Sequence, residues 1–190
     1  MKLVFASNNK NKLQEVKHQL PNDIELLSLE DIGCTEDIPE TADTIEGNAI
    51  LKADYVTKNY GYDCFADDTG LEVDALNGAP GVYSARYAGE EKSAEANMDR
   101  LLTELDGNPN RHAHFKTVIA LNLNGAQHLF TGIVQGNITK QRAGNEGFGY
   151  DPVFMPEGQN LTFAQISLAQ KALLSHRGQA VKQLIDFLKK

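Results

Sequence analysis

Two hydrophobic periods alternate along the chain. Lys2 to Ala6 is a short apolar run that predicts a strand, and Ser7-Asn8-Asn9 follows as a polar turn. From Lys10 to Leu20, residues Leu13, Val16 and Leu20 recur at helical spacing, and Ile24 to Leu27 reads as a second strand. Strand, helix, strand predicts an α/β unit, with the turn after the first strand where ligands bind such sheets. Thr44 to Asn59 reads as a helix with Ile45, Ala49, Ala53 and Val56 on one face. A short strand, Asp63-Cys64-Phe65-Ala66, then ends at Asp67-Asp68, before Thr69-Gly70 and an alternating segment from Leu71 to Asp74.

Ala75 to Gly89 is rich in Gly and Ala and contains Pro80, which predicts a loop. Ala94 to Leu105 is helical by pattern, and Gly107 to Asn110 breaks it. His114 to Leu123 and Gln127 to Ile138 flank Asn124-Gly125-Ala126, the pattern of a long hairpin with an Asn-Gly turn. Ala143 to Gly149 is a second glycine-rich loop. Helical patterns close the chain over Thr162 to Leu174 and Gly178 to Lys189. No repeat or sharp boundary divides it. The expectation is one domain, 1–190, of the α/β class: a mixed fold in two lobes with a cleft between them.

Composition narrows the function classes. A chain of 190 residues with 41% hydrophobic and 23% charged residues is an ordinary globular protein. No apolar run approaches a membrane span, and the start is too short and too soon polar for a signal peptide, so a cytoplasmic location is expected. Eighteen basic against 26 acidic residues give a net charge of −8, which argues against coating nucleic acid or an anionic membrane. A small anionic ligand in a local cationic pocket stays compatible with it. Cys34 and Cys64 read as a reduced pair in a chain without an export signal, and two cysteines make no zinc site.

Four segments carry candidate chemistry. Asp67 and Asp68 are adjacent like charges, which repel unless a cation relieves them. A solvated Asp-Thr-Gly turn is one reading. The other adds Glu40, so that three carboxylates serve one or two Mg2+ ions and one of them acts as general base. Ser7-Asn8-Asn9-Lys10-Asn11-Lys12 joins a strand to a helix, which suits phosphate, although an ordinary N-cap with solvated lysines reads the same. Gly147-Phe148-Gly149-Tyr150-Asp151-Pro152 offers an aromatic for stacking on a base, or an anchor for its own loop. Ser175-His176-Arg177-Gly178, with Lys171 upstream, concentrates donors or caps a helix.

In order along the chain, SNNKNK at 7–12, Glu40-Thr41, EGNAILKA at 46–53, ADDTGLEVDALNGAPGVYSARYAG at 66–89, GFGYDP at 147–152 and SHRGQA at 175–180 resemble the Ham1-type inosine triphosphate pyrophosphatases. The resemblance covers nearly the whole chain. It implies a two-lobed α/β fold around a long twisted central sheet, and a homodimer. The implied activity is Mg2+-dependent hydrolysis of ITP, dITP and XTP to the monophosphate and pyrophosphate, which cleanses the nucleotide pool. By position, Asn9 and Lys12 would contact phosphates within the 7–12 turn, with Lys52 assisting. Glu40 and Asp68 would serve the metal, with Asp67 beside them. Asp68 would accept the proton of the attacking water. Phe148 would stack on the base, flanked by Gly149 and Tyr150, and Asp151, Lys171, His176 and Arg177 would read its edge. Thr69 replaces a serine frequent in bacterial relatives and keeps the hydroxyl. A Maf-type pyrophosphatase of other specificity and a non-hydrolysing nucleotide sensor are the alternatives.

Overall fold

The computed structural model describes Met1 to Lys189. The fold is mixed α/β. Its elements are β1 (Lys2–Phe5), α1 (Lys10–Gln19), β2 (Glu25–Leu27), α2 (Ile45–Tyr60), β3 (Cys64–Val73), β4 (Pro80–Gly81), α3 (Ala94–Glu104), β5 (His112–Leu123), β6 (Ala126–Ile138), β7 (Phe154–Pro156), α4 (Leu168–Leu174) and α5 (His176–Leu188). The strand order is β2-β1-β3-β5-β6-β7, with β4 on β3. No helix of the described residues is long and apolar enough to cross a membrane.

The chain divides into two compact units, each assembled from separated segments. The first comprises Met1–Asp68, Thr117–Gly132 and Arg177–Lys190. Its core joins Leu3 and Phe5 of β1, Val16 of α1, Phe65 of β3, Ile119 and Leu121 of β5, and Ala180, Val181 and Leu184 of α5. Burying each large apolar side chain contributes about 1.5–3 kcal/mol. The second unit comprises Thr69–Lys116 and Ile133–His176. Its core gathers Leu71, Met98, Leu101, Phe115, Phe154 and Phe163, among others.

Local chemistry explains where the elements start and stop. Thr44 caps α2 by accepting from the Gly47 N–H at 3.0 Å, and Gly61 ends the helix in the left-handed region. Asn124 (φ 51°) and Gly125 (φ 79°) both take positive φ, as a two-residue hairpin turn of the expected kind requires.

Two expectations fail. The strand after Asp63 does not end at the aspartates: β3 runs ten residues from Cys64 to Val73, straight through Asp67, Asp68, Thr69 and Gly70. Turn propensity is overridden because the segment lies in a paired strand, with Asp67, Asp68 and Gly70 buried and cationic partners supplied to both aspartates. The helix expected over Thr162 to Leu174 is a single turn at Phe163–Gln165 and then α4, each opened by its own capping box, Thr162 with Gln165 and Ser167 with Gln170.

β1 and β3 pair in parallel with Phe5 opposite Phe65, and their rings stack at 4.8 Å. That register sets the carboxyl end of β1, where the Ser7 to Asn9 turn begins, beside the aspartates of β3. Carboxyl ends of parallel strands are where such sheets place their ligand-binding residues.

Candidate active site

Successive residues of a strand point to opposite faces, so β3 separates Asp67 from Asp68. Each then receives its own cationic partners. Asp67 is fully buried. Its Oδ1 accepts from Lys12 Nζ at 3.1 Å and its Oδ2 from Arg177 Nε at 2.8 Å. Burial alone would raise the Asp67 pKa, but Lys12, Arg177 and Lys52 together outweigh it and hold the group well below the usual carboxylate range. Asp67 is therefore a fixed anion.

Asp68, 7% exposed, is different. Its Oδ1 lies 3.4 Å from Lys52 Nζ, which also donates to Glu40 Oε1 at 2.5 Å. Burial raises its pKa; Lys52 and Lys12 oppose the rise without cancelling it. A carboxylate of raised basicity is suited to accept a proton.

The partners are in place for readable reasons. Lys52 follows Ala49 by three positions and precedes Val56 by four, so it shares the buried face of α2. Arg177 precedes Ala180, Val181 and Leu184 at helical spacing and is 2% exposed. Its Nη1 donates to Glu15 Oε2 at 2.5 Å. Glu15 is a site residue that sequence reasoning passed over. A signal exists, because it stands three positions after Lys12 and such residues share a helix face.

The turn before α1 is built by side chains. Asn9 is the N-cap of α1, its Oδ1 accepting from the N–H groups of Asn11 and Lys12 at 3.0 and 3.2 Å. Ser7 Oγ accepts from the Asn9 N–H, and Asn8 Nδ2 donates to Asp37 Oδ1. Lys10 and Asn11 are exposed. Burial lowers the Lys12 pKa, with Asp67 opposing and Lys52 adding to the fall. The segment carrying Glu40 is tied to α2 at further points: Glu36 Oε1 accepts from the hydroxyls of Tyr55 and Tyr60, and the Ala42 N–H donates to Asn48 Oδ1. The Tyr60 and Tyr55 hydroxyls lower the Glu36 pKa to about 2.

The second unit holds the other expected residues. Asp151 Oδ2 accepts from the Phe148 N–H at 2.8 Å and from Lys171 Nζ at 2.6 Å. The Lys171 ammonium stands 4.8 Å from the centroid of the half-buried Phe148 ring. Asp151 thus clamps the loop that carries Phe148. Gly147 makes the clamp possible: its φ is +71°, and a Cβ there would overlap the Asp151 carboxylate. Gly147→Ala is expected to cost at least about 1–2 kcal/mol for the left-handed backbone alone. Urea denaturation with an unchanged m-value measures it.

Gly149 also has positive φ, and Tyr150 is a buried anchor whose hydroxyl donates to the Ser84 carbonyl at 2.7 Å. His176 is buried with its ring stacked on Phe115 at 4.5 Å. Thr69 is half-buried on β3 next to Asp68.

Among the described residues no three His, Cys, Asp or Glu side chains form a ready metal-binding cluster. Glu40 and Asp68 are drawn around one cationic centre, the Lys52 ammonium, whereas both Asp67 oxygens are given to Lys12 and Arg177. The donor set that fits a hard divalent cation is therefore Glu40 with Asp68, since Mg2+ takes one or two carboxylates and fills its shell with water and phosphate. Cys34 and Cys64 are buried and free, and burial raises the Cys64 thiol pKa.

A family model described as the Ham1 family matches residues 3–187. The chain belongs to the Ham1 family. A relative from Flavobacterium psychrophilum, named dITP/XTP pyrophosphatase, is 69% identical over 189 residues, covering 100% of each chain. The Ham1 protein of Staphylococcus aureus has a solved structure that superposes with a TM-score of 0.90 at 42% identity, covering 100% of this chain and 98% of that one. A Ham1 protein from Coxiella burnetii gives 0.91 at 37% identity, with the same coverage. The family assignment and the mixed α/β fold thus agree with the resemblance carried by the ordered motifs.

Proposed function

We propose that this Ham1 chain hydrolyses non-standard purine nucleoside triphosphates, dITP, XTP and ITP, to the monophosphate and pyrophosphate, and so cleanses the nucleotide pool. The observation that carries the chemistry is the placement of Asp68, a buried carboxyl held with Glu40 at the Lys52 ammonium. Asp68 accepts the proton of a water that attacks the α-phosphorus. The bond between the α- and β-phosphoryl groups breaks, and pyrophosphate leaves.

Lys12, Lys52 and the donors of the Ser7 to Lys12 turn neutralise and orient the triphosphate, which accounts for a cationic site on an acidic protein. Glu40 and Asp68 would hold Mg2+. When bound, Mg2+ supplies charge neutralisation on the phosphates and acidifies water. Asp67, whose oxygens hold Lys12 and Arg177, positions those cations and takes no proton. Arg177 is accordingly assigned to positioning Asp67.

Phe148 takes the purine face, and Lys171, Asp151 and His176 take its edge. Hypoxanthine and xanthine present an oxygen at C6 where adenine presents an amino group. A donor aimed at that oxygen is left unsatisfied by adenine, at a cost of about 1–3 kcal/mol each. The family resemblance supports a homodimer, which sedimentation checks, and a cytoplasmic site of action, where nucleoside triphosphates are made and used.

The test is product analysis with dITP, XTP, ITP, GTP and ATP, with Mg2+ and with chelator. The expected products from the first three are monophosphate and pyrophosphate, with activity lost on chelation and restored by Mg2+. Diphosphate with inorganic phosphate would overturn the reaction. A preference for other nucleotides would point to the Maf-type specificity, and absence of any turnover in a single-turnover assay to a sensor.

A further inference from the structure

Lys52 occupies an unusual position for a phosphate ligand. Its side chain is 8% exposed, and its ammonium lies at the point where Glu40 and Asp68 converge. The two contacts are unequal, 2.5 Å to Glu40 Oε1 and 3.4 Å to Asp68 Oδ1. The two carboxylates outnumber this one ammonium, and the Asp68 side chain is only 11% exposed. A divalent ion answers both charges, and it binds carboxylate oxygen at about 2.0–2.1 Å, closer than any ammonium can. Placed between Glu40 and Asp68 it would lie within a few ångströms of the Lys52 ammonium, and like charges that close repel.

We infer that Lys52 is a built-in stand-in for the metal: it holds Glu40 against Asp68 until a divalent ion displaces its ammonium from the pair. This rests on the reading of Glu40 and Asp68 as the metal-holding residues.

The displaced ammonium keeps its buried stem on α2 between Ala49 and Val56 and must find another anion. The triphosphate supplies one. Metal and nucleotide are then coupled through Lys52, each favouring the other by the same factor. The stand-in also explains how a loop-borne acid is kept at the site before metal arrives. The Lys52 contact joins the Glu36 and Ala42 bonds in tying the Glu40 segment to α2.

The experiment uses the full chain without nucleotide, so it is independent of the hydrolysis assay. Protein carrying 15N at lysine Nζ is titrated with Mg2+, and the Lys52 signal, assigned with Lys52→Met, is followed by NMR. The signal is expected to shift as Mg2+ binds, with the midpoint of binding. In parallel, Mn2+ affinity is measured by electron paramagnetic resonance for wild type, Lys52→Met and Lys52→Arg. Lys52→Met is expected to bind Mn2+ roughly tenfold tighter or more, the effect of deleting a positive charge a few ångströms away. Lys52→Arg, which keeps the charge, is expected to show no such gain.

A Lys52 signal that stays fixed at saturating Mg2+ overturns the exchange, even if Lys52→Met binds more tightly, because the lysine would then act only as a neighbouring charge. Equal Mn2+ affinity in wild type and Lys52→Met also overturns it, while leaving the metal reading intact. No Mn2+ binding by any of the proteins overturns both. If Lys52→Met does not fold, the wild-type titration still decides, with Lys52→Arg used for assignment.

Discussion

Replacing Arg177 with methionine is expected to lower the thermal unfolding midpoint by about 10 °C. Arg177 is 2% exposed, and its guanidinium joins Asp67 at 2.8 Å to Glu15 at 2.5 Å. Methionine fills much of the volume but leaves two buried carboxylates short of their shared counter-charge. Removing one partner of a buried ion pair costs about 3–5 kcal/mol. Each kcal/mol shifts the midpoint by about 2–4 °C in a chain of this size. Scanning calorimetry reads it directly.

The pH dependence of that deficit has a definite sign. In the wild type, Asp67 is held below the usual carboxylate range, so its stabilising effect is complete above the ordinary aspartate pKa and is lost only as pH falls through its lower folded value. In Arg177→Met, Asp67 keeps Lys12 but loses Arg177, so its folded pKa lies higher than in the wild type. The variant therefore loses less stability than the wild type as pH falls through this range. The gap between the two proteins should narrow on mild acidification. A gap that widens would place the effect outside this ion network.

The second large effect concerns turnover. Asp68→Asn preserves shape but removes the proposed proton acceptor, and positioned general bases contribute about 10²–10⁴-fold. Pyrophosphate release from dITP should fall by that factor while the protein stays folded by circular dichroism. Asp67→Asn tests the division of roles. It should raise KM more than it lowers kcat, because Lys12 and Arg177 lose their anchor while Asp68 remains. If Asp67→Asn reduces kcat as severely as Asp68→Asn, the two aspartates share the chemistry.

Much of the fold was legible because local signals and tertiary burial agreed. Ile45, Ala49, Ala53 and Val56 are at helical spacing, and all four are buried on α2. Asn124-Gly125 makes the turn that its residue types demand. The aspartate pair was read less well. Asp, Thr and Gly favour turns, and no local signal reports cations arriving from Lys12, Lys52 and Arg177, as far as 110 positions away in sequence. The electrostatic problem posed by two adjacent carboxylates was real. The strand solves it by facing them apart and supplying each with its own cation. The end of the chain held readable signals: Thr162 with Gln165 and Ser167 with Gln170 are two capping boxes in succession, which divide what periodicity alone joins.

The site residues of the first unit also bear on how the protein is made. Asp67 and Glu15 are synthesised well before Arg177, which belongs to α5, and the unit's core draws Ala180, Val181 and Leu184 from that same helix. A nascent chain carries Asp67 through the synthesis of 110 further positions before the arginine that joins it to Glu15 is made. Domains fold as units, so the first one can close only when α5 has left the ribosome. A premature stop anywhere between α2 and Arg177 would therefore yield an unfinished core that lacks the cation joining Asp67 to Glu15. Truncated products of this chain should be substrates for proteases rather than partly active enzymes.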